Sequence, residues 1–311
     1  MEKKKYLIVI GGPTAAGKTS TAIRIANHFG IEILSADSRQ FYQEMSIGTA
    51  KPSNIELAQA PHHFINNLSI HDKYSVGDYE KEVLNKLEIL LKDKQSAILV
   101  GGSGLYIRAV CEGLDEFPEV PQNIKEELIN LFEQEGLAPL QASLQDLDPQ
   151  YYAEVDIANP HRLIRALSVI KASGAPFSKF RNQAPKERPF EIIKIVLEMD
   201  RAELYDRINQ RVDVMIETGL IDEARVLHPN RHLNALQTVG YEELFNHFEG
   251  KISLEEAIEL IKRNSRRYAK RQMTWFRKKA DWNRFSPTDI GGILDFLQNH
   301  FRNTSIADAQ L

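Results

Sequence analysis

Gly12-Pro13-Thr14-Ala15-Ala16-Gly17-Lys18-Thr19 follows the apolar run Tyr6 to Ile10 and precedes Ser20 to Phe29, a stretch of helical character. The octet meets the phosphate-cradling pattern G-x-x-x-x-G-K-[ST] at every fixed position, in the strand, loop, helix order the pattern requires. Its glycines let successive backbone N–H groups turn toward an anion. Lys18 supplies an ammonium and Thr19 a hydroxyl able to join the shell of a magnesium ion. The amino end of the following helix directs its partial positive charge at the same place. All eight residues, Gly12, Pro13, Thr14, Ala15, Ala16, Gly17, Lys18 and Thr19, are therefore candidate diphosphate- or triphosphate-binding positions, with Thr19 the candidate metal ligand. The octet defines the anion and leaves the reaction open.

Working outward, apolar runs that suit buried parallel strands lie at Tyr6 to Ile10, Ile31 to Leu34, Ala97 to Val100 and Ile192 to Leu197, with helical stretches between them. The right-handed crossover rule puts the carboxyl ends of such strands along one edge, where open α/β sheets bind ligands. Three loops leave that edge: the octet, Asp37-Ser38-Arg39-Gln40, and Gly101-Gly102-Ser103-Gly104. Between Asp115 and Pro189 the pattern changes to helices of mixed charge, opened by Pro118 and Pro121 and closed by Gly174, Pro176, Pro185 and Pro189. The expected fold class is α/β: a P-loop NTPase-like parallel sheet core flanked by helices, built from residues 1–114 and 190–311, with a helical insertion domain at 115–189.

The 311 residues are 42% hydrophobic, enough for a sizeable interior. A single cysteine, Cys111, leaves no intrachain disulfide and no cysteine zinc cluster, and points to the cytoplasm. No apolar run has the length of a membrane span, and the run after the basic start is too short for a signal peptide. Net charge is −4, yet Lys262, Arg263, Arg266, Arg267, Lys270, Arg271, Arg277, Lys278 and Lys279 form an acid-free run. That asymmetry suits a polyanion bound at one place, an RNA backbone in particular.

Asp37, directly after the second strand, sits where a carboxylate could hold magnesium indirectly or act as a general base; a helix-capping role is the plainer alternative. The loop after Val100 lacks the acid with which a kinase or ATPase would hold its metal, and Ser103 offers instead a hydroxyl for a bridging or leaving oxygen. Arg162 and Arg165 fall three apart and can share a helix face. Ile261, Tyr268 and Trp275 recur every seven residues and read as core rather than base-stacking platforms, while His62 and His63, being adjacent, read as packing residues rather than metal ligands.

Taken together, these segments resemble the bacterial tRNA dimethylallyltransferases (tRNA isopentenyltransferases) over nearly the whole chain. The resemblance rests on the octet, Ser35 to Tyr42, Ile47 to Pro52, Pro61-His62-His63, Val100 to Tyr106, Asn159-Pro160-His161-Arg162, Val239-Gly240-Tyr241 and Ala269 to Phe276. It implies transfer of a dimethylallyl group from dimethylallyl diphosphate to N6 of the adenosine 3' of the anticodon, releasing pyrophosphate with Mg2+ assisting. The resemblance assigns catalysis to Asp37, as base, and to Ser103, where threonine is usual. It assigns tRNA contacts to Asp37, Ser38, Arg39, Gln40, Ser103, Lys125, His161, Arg162, Leu163, Ile164, Arg165, Gln237, Gly240 and Tyr241; the basic run adds Arg267 and Arg271. The insertion resembles a mobile domain closing on the anticodon stem-loop. A monomer is expected. An ATP-binding small-molecule kinase, indifferent to RNA, and a non-catalytic nucleotide-switched RNA-binding module are the competing classes.

Overall fold

The computed structural model describes residues 4–181, 184–278 and 280–307, so Lys279 of the basic run lies outside the described residues. Contacts divide the chain into two compact units, residues 1–112 with 187–311 and residues 113–186.

The first unit is built on six parallel strands: β1 (Tyr6–Gly11), β2 (Ile33–Ser35), β3 (His62–His63), β4 (Ser96–Gly101), β5 (Glu191–Leu197) and β6 (Asn283–Phe285), in the order β3-β2-β4-β1-β5-β6. Alternation along the strands feeds two cores. Leu7, Val9, Leu34, Leu99 and Val196 pack on one face, whereas Tyr6, Ile8, Ile10, Ile33, Ile98 and Ile195 pack on the other. The runs read from the sequence correspond to β1, β2, β4 and β5; the short edge strands β3 and β6 carry no apolar run to announce them. Strand β2 also begins later than Ile31. Gly30, at φ +63°, ends the preceding helix, and the Ile31 amide still donates to Ala26 O at 3.0 Å.

Because β1 and β2 both flank β4, their carboxyl ends deliver the three expected loops side by side. The Ala36 amide donates to Val100 O at 2.7 Å, and the Ser103 amide donates back to Ala36 O at 3.4 Å. A Cβ on Gly101 would come within 2.2 Å of Ala36 O, so only glycine permits this approach. Beyond the sheet, the helices Arg201–Glu217, Leu220–Leu227, Tyr241–Phe248 and Leu254–Arg277 surround a further core containing Val212, Leu220, Tyr241, Leu244 and Ile261.

The second unit is helical, with Gln122–Glu135, Ala138–Leu147, Pro149–Glu154 and Pro160–Ser173 packed about Leu128, Leu140, Leu144, Leu163 and Leu167. Asp148, 1% exposed, is kept there by full pairing: it accepts from the Tyr151 amide and from both the amide and hydroxyl of Ser178.

Candidate active site

The octet forms a tight cradle at the end of β1. Ala15 is held at φ +63° and Gly17 at φ +83°, backbone states that favour glycine and concentrate amides on the concave side. Lys18 folds over the loop and donates to Pro13 O at 2.7 Å. Burial lowers its pKa from 10.5 to about 8, against the raising influence of Asp37 and with a further lowering by Arg211. An anion in the cradle would restore its full charge.

The cradle opens into a cavity of about 340 Å³ lined by Thr14, Lys18, Thr19, Asp37, Gln40, Glu56, His62, Arg207 and Arg211, among others. Arg207 and Arg211 stand one turn apart on Arg201–Glu217. Arg211 donates to the Thr14 hydroxyl at 3.3 Å and to Ala50 O at 3.4 Å. His62 Nδ1 lies 2.7 Å from Ala60 O, and burial pushes its pKa down; the adjacent His63 pairs with Glu32 at 2.6 Å.

A second cavity of about 230 Å³ shares Thr14, Asp37, Thr49, Ala50 and Arg211 with the first. Its other walls are Ile208, Val212, Met215, Leu220, Val239, Ile261 and Tyr268, with Ser38, Arg39 and Gly240 at the polar side. One cavity is therefore rich in cationic and hydroxyl side chains, the other is mixed with an apolar side formed by Ile208, Val212, Met215, Leu220 and Ile261, and Asp37 borders both.

The Asp37 carboxylate also accepts from the Arg39 amide at 3.0 Å. The Ser103 hydroxyl is not part of either cavity wall. It accepts from the Ser38 amide at 3.1 Å, which ties the β4 loop to the residue after Asp37. Tyr268 is hydrogen-bonded with Ser103 as well; desolvation of its phenol, then the charge of Asp37, pushes it up to about 12, partly offset by that hydrogen bond.

A family model described as IPP transferase matches residues 40–279. The chain belongs to that family. The tRNA dimethylallyltransferase of Christiangramia forsetii is 54% identical over 296 residues, 94% of this chain and 98% of that protein. The Flavobacterium johnsoniae protein of the same name is 48% identical over 308 residues, 96% and 99% of the two chains. The solved full-length tRNA isopentenylpyrophosphate transferase of Bacillus halodurans superposes with a TM-score of 0.73 at 37% identity, covering 99% of this chain and all of the other. A eukaryotic dimethylallyltransferase crystallised acting on tRNA gives a TM-score of 0.77 at 25% identity over 92% of this chain and 75% of its own.

This IPP transferase family member places its sequence-derived residues unevenly. Asp37, Ser38, Arg39, Gln40 and Gly240 lie at the paired cavities, and Gln237 O accepts from the Arg39 guanidinium at 3.4 Å. Arg267 and Arg271 are exposed on Leu254–Arg277, with the Arg271 guanidinium 5.6 Å from the Tyr268 ring centroid. Within the basic run Lys262 is paired with Asp213 at 2.7 Å and Arg266 is bonded to Asn209, while Arg263, Lys270, Arg277 and Lys278 are exposed.

Three side chains expected at RNA are instead packed inward. Tyr241 is wholly buried, its phenol donating to Glu223 at 2.7 Å, because it backs the loop that walls the cavities. Glu223 accepts from the amides of Ser46, Ile47 and Gly48, and a Cβ on Gly48 would meet the Tyr241 ring at 2.6 Å. Leu163 and Ile164 lie in the core of the helical unit, whereas Lys125, His161, Arg162 and Arg165 are exposed there and Arg165 sits 5.1 Å over Phe117. Tyr268 departs in the opposite sense: expected in the core, it is 37% exposed and walls the second cavity.

Arg207, Arg211 and Glu223 have no part in the sequence reading, and Gln272 enters it only within the motif Ala269 to Phe276, without a role. The i, i+4 spacing of the two arginines was a usable signal. Nothing local distinguishes Glu223, and nothing local gives Gln272 a role of its own. No group of three or more metal-type side chains occurs among the described residues, and no helix there is long and apolar enough to cross a membrane.

Proposed function

We propose a residue-by-residue course for the reaction of this family, in which the chain moves a dimethylallyl group from dimethylallyl diphosphate to N6 of a tRNA adenosine beside the anticodon. The observation that carries it is the position of Asp37 on the wall common to a cationic cavity and one with an apolar side. A diphosphate ester of a branched five-carbon alcohol has one end for each. The octet amides, Lys18 and Arg211 receive the diphosphate, and the Ile208, Val212 and Met215 side receives the hydrocarbon and the incoming base.

As the ester C1–O bond breaks, its electron pair leaves with pyrophosphate, and the growing charge meets Lys18, Arg211 and the loop amides. The N6 lone pair forms the new C–N bond. The proton released from N6 passes to Asp37, held in place by the Arg39 amide. Ser103 acts through Ser38, keeping the turn that carries Asp37 against the β4 loop. The Thr19 hydroxyl on the cavity wall would be a ligand for Mg2+, which when bound would neutralise the leaving group; among the described residues no group of three or more metal-type side chains accompanies it.

The adenosine must leave its stack to reach Asp37, which single-stranded loop bases do at low cost. Ser38, Arg39, Gln40, Gln237 and Gly240 border that approach; Arg267 and Arg271 provide backbone contacts, and Lys125, His161, Arg162 and Arg165 of the helical unit take the anticodon stem-loop. Labelled dimethylallyl diphosphate incubated with unmodified tRNA and Mg2+ tests the reading. Label is expected in N6-substituted adenosine. Phosphate transfer from ATP to a metabolite, or tRNA binding with no incorporation, would replace it by the kinase or the RNA-binding class.

A further inference from the structure

Gln272 is 7% exposed and lies on Leu254–Arg277, the helix that also carries the basic run. Its Oε1 accepts from the Thr14 amide at 2.9 Å and its Nε2 donates to Gly102 O at 3.1 Å. One primary amide thus joins the anion loop after β1 to the glycine loop after β4. The surrounding glycines show how closely this helix is seated: an added Cβ would meet Gln272 Nε2 at 2.2 Å from Gly102, Trp275 at 2.4 Å from Gly104, and Phe276 at 2.4 Å from Gly11. Both loops continue into chemistry. Thr14 borders both cavities and receives Arg211, while Ser103, next to Gly102, holds the Ser38 amide beside Asp37.

We infer that Gln272 is a positioning residue that sets the register between the diphosphate cradle and the Asp37 turn through one side-chain amide used as acceptor and donor at once. A primary amide of this length is required. Glutamate keeps the acceptor but opposes a carboxylate oxygen to the Gly102 carbonyl, and methionine keeps the length with neither function, leaving two inward-facing backbone groups unpaired. The part concerning Asp37 rests on the prenyl-transfer reading; the part concerning the cradle does not.

The test uses the full chain with Gln272→Met, Gln272→Glu and Gly102→Ala, read by pyrophosphate calorimetry without RNA, by kcat and KM for dimethylallyl diphosphate, and by tRNA affinity. Gln272→Met is expected to weaken pyrophosphate binding about tenfold and to lower kcat by about tenfold or more, with tRNA affinity nearly unchanged. For Gln272→Glu the loss should shrink as pH falls from 8 to 6, because protonating the introduced carboxyl restores a donor to Gly102 O; the Gln272→Met deficit should stay flat relative to the parent. Gly102→Ala should resemble Gln272→Met, and shortening the neighbour in Gly102→Ala/Gln272→Ala should cost little more than either change alone. If Gln272→Met does not fold, the pH-dependent rescue and the double substitution carry the decision. Pyrophosphate binding and turnover within about twofold of the parent, or equal pH-independent deficits in both Gln272 variants, would overturn the inference. A parent protein that binds pyrophosphate in a Gln272-dependent way yet never labels tRNA would instead defeat the prenyl-transfer reading alone.

Discussion

The two adjoining cavities differ in how they are made. The cationic one has a single turn of chain, Thr14 to Thr19, as its anion cradle, and is closed by Asp37, Gln40, Glu56, His62, Arg207 and Arg211 from other segments. The more apolar one has no such single turn: Thr14, Asp37 to Ala50, the helix Arg201–Glu217 with Leu220, and Thr238 to Tyr268 each contribute part of its wall. On the proposed reading the first takes a charge that many substrates carry, and the second decides what may be attached to it. Specificity in this protein should therefore reside in long-range packing, and the anion affinity in local backbone geometry.

Substitutions can break that division. The largest effect is expected at the shared wall: Asp37→Asn should lower kcat by about a thousandfold, the scale of a lost general base, while pyrophosphate and tRNA binding persist. Single-turnover incorporation of label beside equilibrium binding of both ligands would measure this, and near-parental turnover would remove Asp37 from proton transfer.

Next, Lys18→Met should weaken dimethylallyl diphosphate binding by about a hundredfold and yet stabilise the ligand-free fold. The sign follows from burial. The folded-state pKa, about 8, lies below the ordinary 10.5, so holding the protonated amine costs the fold stability below pH 8, and this cost disappears as pH rises from about 8 to 10.5. Thermal melts at pH 7 should show the substituted chain as the more stable, and the difference should vanish by pH 10.5. Diphosphate affinity of the parent should correspondingly decline above pH 8.

Met215→Trp sharpens the contrast, since it fills the apolar cavity and leaves the cradle untouched. The expected result is a roughly tenfold lower kcat/KM for the prenyl donor, as overpacking displaces the hydrocarbon, with pyrophosphate affinity retained. Equal losses for both ligands would mean that the two cavities act as one. The smallest effect belongs to the outer surface: Arg267→Ala with Arg271→Ala should make the log–log salt dependence of tRNA affinity shallower by about 1.5. An unchanged slope would remove that helix from the backbone contacts.

The same division explains what could be read in advance. The octet was legible because a phosphate cradle is a short-range object: glycines at fixed spacing, a lysine and a hydroxyl on one turn suffice. The parallel core was legible because strands buried on both faces are apolar throughout, whereas β3 and β6, two and three residues long at the sheet's edges, leave no such trace. Arg162 and Arg165 were readable as surface cations from helical spacing. Leu163 and Ile164 between them, being apolar, belong to the inward face of the same helix, and the resemblance that marked the whole stretch could not separate the two faces.

What the amino-acid order determined by itself was the looped form of the octet, the α/β class, the line of loops along one sheet edge and the concentration of positive charge on one helix. Each depends on residues close together or on a periodicity that any single element must obey. Only the tertiary structure decided that Asp37 borders two cavities, that Arg211 and Gln272 reach the octet from 197 and 258 residues away, that Tyr268 walls a pocket, and that Tyr241 supports a loop from within. Those facts depend on which surfaces meet when the helices close over the sheet, a choice made by burial and close packing among distant segments, and no local pattern records it.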